Sequence, residues 1–175
     1  MRKLIYLAAA AVIAQASPSL ASSLEPATQD AAPMHAFEDH PSRLYTGAVV
    51  SPVIQVADAD YIAQIRQAAR GTPNYAGRNI ITSYSCGTDC LYTYIINAQN
   101  GTVKPLGLGG AEQPALKMEY RADSRLMRAW WKTTNDGQTQ CHSRAYLWDM
   151  HALQPFGSES AYPVAPQAPC GPNPS

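Results

Sequence analysis

The sequence predicts one small α+β domain, mostly antiparallel β, that is cross-linked by disulfide bonds and carries one helix before a strand meander. Three observations predict this fold class. Segments dense in β-branched and aromatic residues alternate with Gly-containing turns, one helical pattern precedes them, and four cysteines follow an export signal. A chain of 175 residues has room for one domain and hardly for two.

The N-terminus has the pattern of a secretory signal peptide over residues 1–21. Arg2 and Lys3 precede the apolar run LIYLAAAAVIA, and small residues offer cleavage sites after Ala16 or Ala21. The apolar run is shorter than the roughly 20 residues that a membrane span needs. We therefore expect a periplasmic or secreted protein with no membrane span after signal cleavage.

The segment before the helix lacks a clear period. Residues 22–36 are rich in Ala, Ser and Pro and are predicted to form a flexible leader, and the domain is expected over residues 37–156. Short β-prone pieces occur at residues 44–45 and 49–56, the second broken by Pro52.

A helix is predicted after these pieces. Asp58 can cap its N-terminus, and Gly71 followed by Pro73 can end it. The apolar residues of the pattern fall on one face: Ile62, Ile65 and Ala69.

The remainder of the domain has the pattern of an antiparallel sheet with about five to seven strands. Residues 79–85 and 91–98 are dense in β-branched and aromatic residues, and residues 99–101 are predicted to form a hairpin turn into TVKPL, because Asn100 and Gly101 tolerate the positive φ that such turns need. The Gly-rich residues 107–114 predict a loop. The other predicted strands cover TVKPL and residues 115–120, 125–133, 140–149 and a short one within 150–156.

All four cysteines lie in the exported part: Cys86, Cys90, Cys141 and Cys170. An even count in an oxidising compartment predicts two disulfides, with three connectivities. A loop of three residues between two strands can bring Cys86 and Cys90 within bonding distance. Cys141 would then tie Cys170, and with it the Pro- and Ser-rich tail of residues 157–175, to the last long strand. That tail is predicted to lack regular structure. Pairing of Cys86 or Cys90 with Cys141 is the alternative.

Two enzymatic or metal-binding alternatives use the same side chains. Cys86, Cys90 and His142 combine the sulfur and imidazole donors of soft-metal carriers, so a copper or redox protein is one alternative. A cysteine nucleophile needs a base that a third group orients, and the spacing of the four histidines marks no such set. A cell-envelope hydrolase would need a carboxylate or His cluster that only the fold assembles. We expect no cofactor.

The charge balance argues against nucleic acid as a partner. Lys and Arg total 13, as do Asp and Glu, and no basic stripe is visible. No basic amphipathic helix points to a membrane surface either. The expected partner is a periplasmic or envelope protein.

Aromatic and Arg residues on the predicted strands supply the candidate binding surface, since exposed Trp, Tyr and Arg are common at interface hot spots. Alternation places Trp130 and Trp131 on opposite faces, so one of them is expected to be half exposed. The same rule places Tyr92 and Tyr94 on one face. The candidates for this surface are Trp131, Arg128, Arg144, Tyr92, Tyr94 and Asp89.

The stretch PNYAGRNIITSYSCGTDCLYTYIINAQNGTV resembles the core of a family of uncharacterised small exported proteins of Gram-negative bacteria. Their pattern runs Pro-Asn-Phe-Ala-Gly, a strand, Gly-Cys-Gly-Thr-x-Cys, a strand and a turn. FEDHPSRLYTG, YRADSRLM and YLWD extend the resemblance over roughly residues 37–155. Tyr75 and Ser85 depart from the pattern, which has Phe and Gly there.

The resemblance implies a disulfide-bonded β domain in the periplasm more than it implies an activity. By analogy of fold alone, it is similar in style to periplasmic lysozyme inhibitors and toxin-immunity proteins. Together, the residues and the resemblance predict a non-enzymatic exported binding protein that acts by protein–protein contact, as an inhibitor, an immunity protein or an envelope accessory factor.

Overall fold

The computed structural model describes residues 35–55 and 61–172. A 3-10 helix at Phe37–Asp39 precedes helix α1 (Ile62–Ala68) and seven strands, which gives the predicted α+β, mostly antiparallel β fold. The strands are β1 (Asn79–Gly87), β2 (Cys90–Asn97), β3 (Val103–Gly109), β4 (Lys117–Tyr120), β5 (Leu126–Asn135), β6 (Gln138–Trp148) and β7 (Leu153–Pro163). Within the described ranges, no helix is long and apolar enough to cross a membrane.

The strands form two antiparallel sheets in which neighbours in space are also neighbours in sequence. The three-stranded sheet has the order β1-β2-β3, and the four-stranded sheet has the order β4-β5-β6-β7. Each connection is therefore a turn or short loop, as the Asn- and Gly-containing turn signals predict. Gly101 (φ +74°) and Gly137 (φ +76°) occupy two of these turns, because glycine has no Cβ and adopts a positive φ at no steric cost.

The main core lies between the facing sides of the two sheets. Alternation along each strand sends every second side chain inward. The three-stranded sheet contributes Ile81, Ile95 and Leu108, and the four-stranded sheet contributes Met127 and Trp131 among others. Each large apolar side chain that leaves water completely stabilises the fold by about 1.5–3 kcal/mol.

Parts of the outer faces of both sheets are also covered. Ile65 of α1 is fully buried against the outer side of the three-stranded sheet, beside Ile80 and Ile96. The N-terminal segment packs Phe37 on the outer side of the four-stranded sheet, and the C-terminal tail packs Cys170 there. The segments before and after the strands thus pack as outer layers on the two small sheets.

The structure corrects three expectations about chain segments. β7 continues through residues 157–163, so the prediction of an irregular tail is wrong there; residues 160–163 pair with the long strand β6, and residues 157–159 lie in a register shift between two paired stretches. β3 continues through residues 107–109 of the predicted loop. Residues 44–45 and the described residues 49–55 form no strand, and only an isolated bridge joins Val53 to Thr102.

Other expectations fall outside the described residues. These are the signal peptide, the leader up to residue 34, and the Asp58 cap of α1. The body and end of α1 match the predicted helix.

Candidate functional site

Both predicted disulfides are present. Cys86 and Cys90 are bonded across the β1–β2 turn with their Cα atoms 5.1 Å apart. The turn uses positive φ at Gly87 (+136°) and Asp89 (+55°), which fits residues that tolerate such a backbone. Cys141 and Cys170 are bonded with their Cα atoms 5.4 Å apart, and both are buried.

The structure does not assemble the ligand set of the copper or redox alternative. The Cys86 and Cys90 sulfurs are bonded to each other in the three-stranded sheet, whereas His142 lies on β6 of the other sheet. Among the residues that the structure describes, no group of three His, Cys, Asp or Glu side chains is arranged to hold a metal ion.

Two aromatic candidates for the binding surface are in the core. Trp131 is 6% exposed and Trp130 is 3% exposed, so the expectation of a half-exposed Trp is wrong. The reason is that the three-stranded sheet covers one face of β5 while the disulfide-bonded tail covers the other. Tyr94 is likewise buried beneath α1, whereas Tyr92 on the same face is 46% exposed.

The charged candidates are partly committed to contacts within the chain. The Arg128 guanidinium lies 4.5 Å from the Phe37 ring centroid and donates to Glu119 (3.2 Å) and to the carbonyl of His35 (2.6 Å). Arg144 lies 3.6 Å from Glu159. The Asp89 side chain is exposed at the tip of the β1–β2 hairpin.

The candidate that sequence reasoning missed is a basic groove at one end of the two sheets, between the β2–β3 and β6–β7 turns. Its basic side chains come from four separate segments of the chain: Arg43, Arg78, Lys104 and Arg125. Trp148 and Met150 contribute its apolar surface, and Met150 is 63% exposed. Two adjoining lobes of the groove have volumes of about 310 Å³ and 540 Å³.

Backbone contacts hold the walls of this groove in place. Tyr45 N–H donates to the carbonyl of Gly77 (2.9 Å), which anchors the segment that carries Arg43 beside Arg78. A Cβ at Gly77 would lie 2.2 Å from the Arg43 carbonyl oxygen, so the close approach requires glycine. The Tyr75 hydroxyl donates to the carbonyl of Arg125 (2.8 Å). Burial raises the pKa of Tyr75, which keeps that donor protonated.

The electrostatics of the groove are one-sided. No Asp or Glu of the described chain lines either lobe, and none of the four basic side chains forms an ion pair with another described residue. Among the described residues, the Arg78 guanidinium donates to the neutral Gln99 side chain (2.9 Å). The nearby Asp149 carboxylate accepts from its own turn, through the N–H groups of His151 and Ala152. The four basic side chains of the groove are therefore not paired with any carboxylate of the described chain.

A second polar cluster lies toward the other end of the four-stranded sheet. The basic groove is at the end where Leu126 of β5 pairs with Leu147 of β6, and this cluster is near the end where Thr133 pairs with Gln140. His142 Nε2 is 2.8 Å from Thr133 Oγ1, and His142 Nδ1 is 2.9 Å from Glu159 Oε1. From the sequence, His142 was predicted only as a metal ligand. Glu159 was missed because it lies in the tail that was predicted to be irregular.

No protein-family model matches this chain, and neither a curated protein nor a solved structure matches it significantly. Functional assignment therefore depends on the two sites themselves.

Proposed function

We propose that this protein is an exported binding module that holds an acidic segment of a periplasmic or envelope protein in the basic groove. The observation that carries the proposal is the convergence of four unpaired basic side chains on a groove without a carboxylate lining among the described residues. The signal-like N-terminus and the two disulfides support export, since disulfides persist in oxidising compartments.

Charge complementarity favours an acidic partner. Two opposite charges about 4 Å apart near a protein surface attract by roughly 4 kcal/mol before desolvation and entropy are subtracted. In the free protein this attraction is unused, because the groove contains no acidic side chain of the described chain. An acidic segment that binds in the groove gains this attraction without breaking an existing ion pair.

The shape and apolar surface favour a peptide segment over a single small anion. The lobes fall within or near the range of about 300–1,000 Å³ that ligand sites occupy, and they adjoin each other along the Trp148 and Met150 surface. Met side chains adapt to irregular apolar partners. A strand or loop in which carboxylates flank an apolar residue would match both the basic side chains and the apolar surface of the groove.

No specific observation favours the copper or redox alternative. It requires Cys86 and Cys90 as thiolates, because the thiolate is the metal ligand and the nucleophile. In the structure both sulfurs are used in one disulfide. The hydrolase alternative has a specific observation in the Thr133–His142–Glu159 cluster, whose chemistry is separate from the groove.

The proposal is tested by titrating the protein with a fluorescently labelled poly-glutamate peptide at low salt. Reversing two exposed groove charges, in Arg43→Glu/Lys104→Glu, should weaken binding at least about tenfold, a change of about 1.4 kcal/mol. The matched control is Arg66→Glu/Arg70→Glu, which makes the same change in net charge on α1 (Arg66) and just after its end (Arg70), away from the groove. The control should bind like the parent.

Three outcomes would reject the proposal. They are the absence of binding to the parent protein, equal loss in both double variants, and binding to dextran sulfate or to anionic phosphatidylglycerol vesicles without binding to the peptide. The last outcome would assign the groove to a polysaccharide or a membrane. Circular dichroism of each variant checks that the fold is retained.

A further inference from the structure

Thr133, His142 and Glu159 form a hydrogen-bonded chain of hydroxyl, imidazole and carboxylate. A carboxylate can only accept, so in the neutral imidazole Nδ1–H donates to Glu159 and Nε2 accepts from the Thr133 hydroxyl. This is the order of groups that activates a hydroxyl nucleophile: a base beside the hydroxyl, oriented by a third group.

Neighbouring side chains hold the imidazole in that orientation. Its ring stacks on Trp131, with centroids 5.5 Å apart and planes 11° apart. Arg144 lies 3.6 Å from the second oxygen of Glu159, and this ion pair helps to fix the position of the carboxylate. The adjacent Cys141 is bonded to Cys170, which ties β6 at this point to the tail. The cluster is thus fixed before any substrate arrives.

The cluster is partly open to solvent. The side chains of His142 and Glu159 are 16% and 37% exposed, and Thr133 is half-buried. A small ester can approach such a hydroxyl without a large movement of the chain. The site lies at the opposite end of the sheet from the basic groove and does not depend on the proposed groove function.

We propose that Thr133, His142 and Glu159 form an acyl-transfer centre that hydrolyses small carboxylic esters. Thr133 Oγ1 attacks the ester carbonyl carbon while His142 Nε2 takes the hydroxyl proton. The bond from carbon to the alcohol oxygen breaks, and the imidazolium gives that proton to the departing alcohol. The Glu159 carboxylate accepts the hydrogen bond from His142 Nδ1 and stabilises the imidazolium.

Water completes the cycle. It attacks the acyl–Thr133 carbonyl while His142 takes one of its protons, the bond to Oγ1 breaks, and Oγ1 regains the proton. The net reaction converts ester and water into acid and alcohol. Nothing is oxidised or reduced, and no co-reactant other than water is needed.

The test uses a fluorophosphonate probe, which labels activated hydroxyl groups, together with turnover of p-nitrophenyl acetate. Peptide mass spectrometry of the labelled protein should place the probe on Thr133. His142→Ala should lower the labelling and turnover rates at least about 100-fold, as the loss of a general base does. Thr133→Val, which keeps the side-chain shape, should abolish both. Thr133→Ser should retain both.

The matched control is Thr134→Val, because the Thr134 hydroxyl contacts Thr139 (3.1 Å) and not the imidazole. It should label and turn over like the parent protein. The proposal is overturned if the folded parent is not labelled, if the label lies on another residue, or if turnover survives Thr133→Val. Circular dichroism confirms folding, and Thr133→Ser keeps the test decisive if Thr133→Val does not fold.

Discussion

The Asp149 carboxylate organises the turn that connects β6 to β7. It accepts hydrogen bonds from the Ala152 and His151 N–H groups and from the Gln154 side chain, each 2.8 Å long. These donors lower the pKa of Asp149 to about 2. Met150 and His151 of this turn line the basic groove. By stabilising the turn, the Asp149 carboxylate therefore also holds this part of the groove wall in place.

We predict that Asp149→Ala lowers the melting temperature in a pH-dependent way. The folded-state pKa is below the ordinary value of 3.8, so the carboxylate stabilises the fold fully above that value, and this contribution is lost as the pH falls to about 2. The difference between variant and parent should therefore be constant near neutral pH and shrink below pH 3.8. Thermal unfolding followed across pH measures it.

The matched control for this prediction is Glu112→Ala, since Glu112 makes no hydrogen bond or ion pair to another described residue. Its melting temperature should track the parent at every pH. A difference for Asp149→Ala that is independent of pH would contradict the assigned role of the carboxylate.

Trp131 shows how burial decides the effect of a substitution. The side chain is 6% exposed, in the core between the sheets. We predict that Trp131→Ala lowers the free energy of unfolding by about 3–5 kcal/mol, because it removes a large apolar group and leaves a cavity. Urea denaturation measures the change. Tyr92→Ala, on a 46% exposed side chain, should cost less than about 1 kcal/mol; equal losses would contradict the burial of Trp131.

At the scale of elements, the two disulfides constrain chain segments of different length. The Cys86–Cys90 bond spans 4 positions within one hairpin, whereas the Cys141–Cys170 bond spans 29 positions and holds the tail over Trp130. A longer closed loop removes more entropy from the unfolded chain. The second bond also keeps one face of the four-stranded sheet covered.

We predict that Cys141→Ala/Cys170→Ala destabilises the protein by about 3.5 kcal/mol and Cys86→Ala/Cys90→Ala by about 2 kcal/mol. Urea denaturation of both double variants, with the parent reduced and oxidised as controls, measures the difference. A larger loss for Cys86→Ala/Cys90→Ala than for Cys141→Ala/Cys170→Ala would mean that the tail contributes less to stability than its packing on Trp130 indicates.

The ends of the strands were less predictable than their central residues. Residues 79–85 and 91–98 are dense in β-branched and aromatic residues, and both became strands close to the expected bounds. Residues 157–163 contain Gly and Pro and have weak strand preference. Residues 160–163 are extended because they pair with residues 140–143 of β6, and residues 157–159 continue the strand through a register shift opposite Arg144. Local preference cannot report a partner strand that is already in place.

At the scale of the whole molecule, net charge and local charge differ. Lys and Arg balance Asp and Glu at 13 each, yet the basic groove concentrates four cations. We predict that peptide binding weakens as salt rises from about 0.05 M to about 0.5 M, because the Debye length falls from about 14 Å to about 4 Å. Fluorescence titration at each concentration measures this. Affinity that does not change with salt would contradict an electrostatic groove.

The candidate sites were only partly predictable. The spacing of Cys86 and Cys90 and the hairpin pattern around them were enough to propose their bond, since both are local features. Arg144 and His142 were named among the candidates, but their shared partner Glu159 was not. The bulge where β7 shifts register against β6 brings Glu159 to them, and no local pattern in the sequence marks that shift.

The sequence by itself determined the alternation of side chains and the positions of most turns, and it favoured the hairpin disulfide among three connectivities, because each of these features depends on residues a few positions apart. Only the tertiary structure decided that both faces of β5 are covered, which buried Trp131. The tertiary structure alone also brought together the four cations of the basic groove, which are Arg43, Arg78, Lys104 and Arg125. The same is true of the cluster of Thr133, His142 and Glu159. The physical reason is that exposure and proximity depend on which distant segments pack together, and a local period carries no information about them.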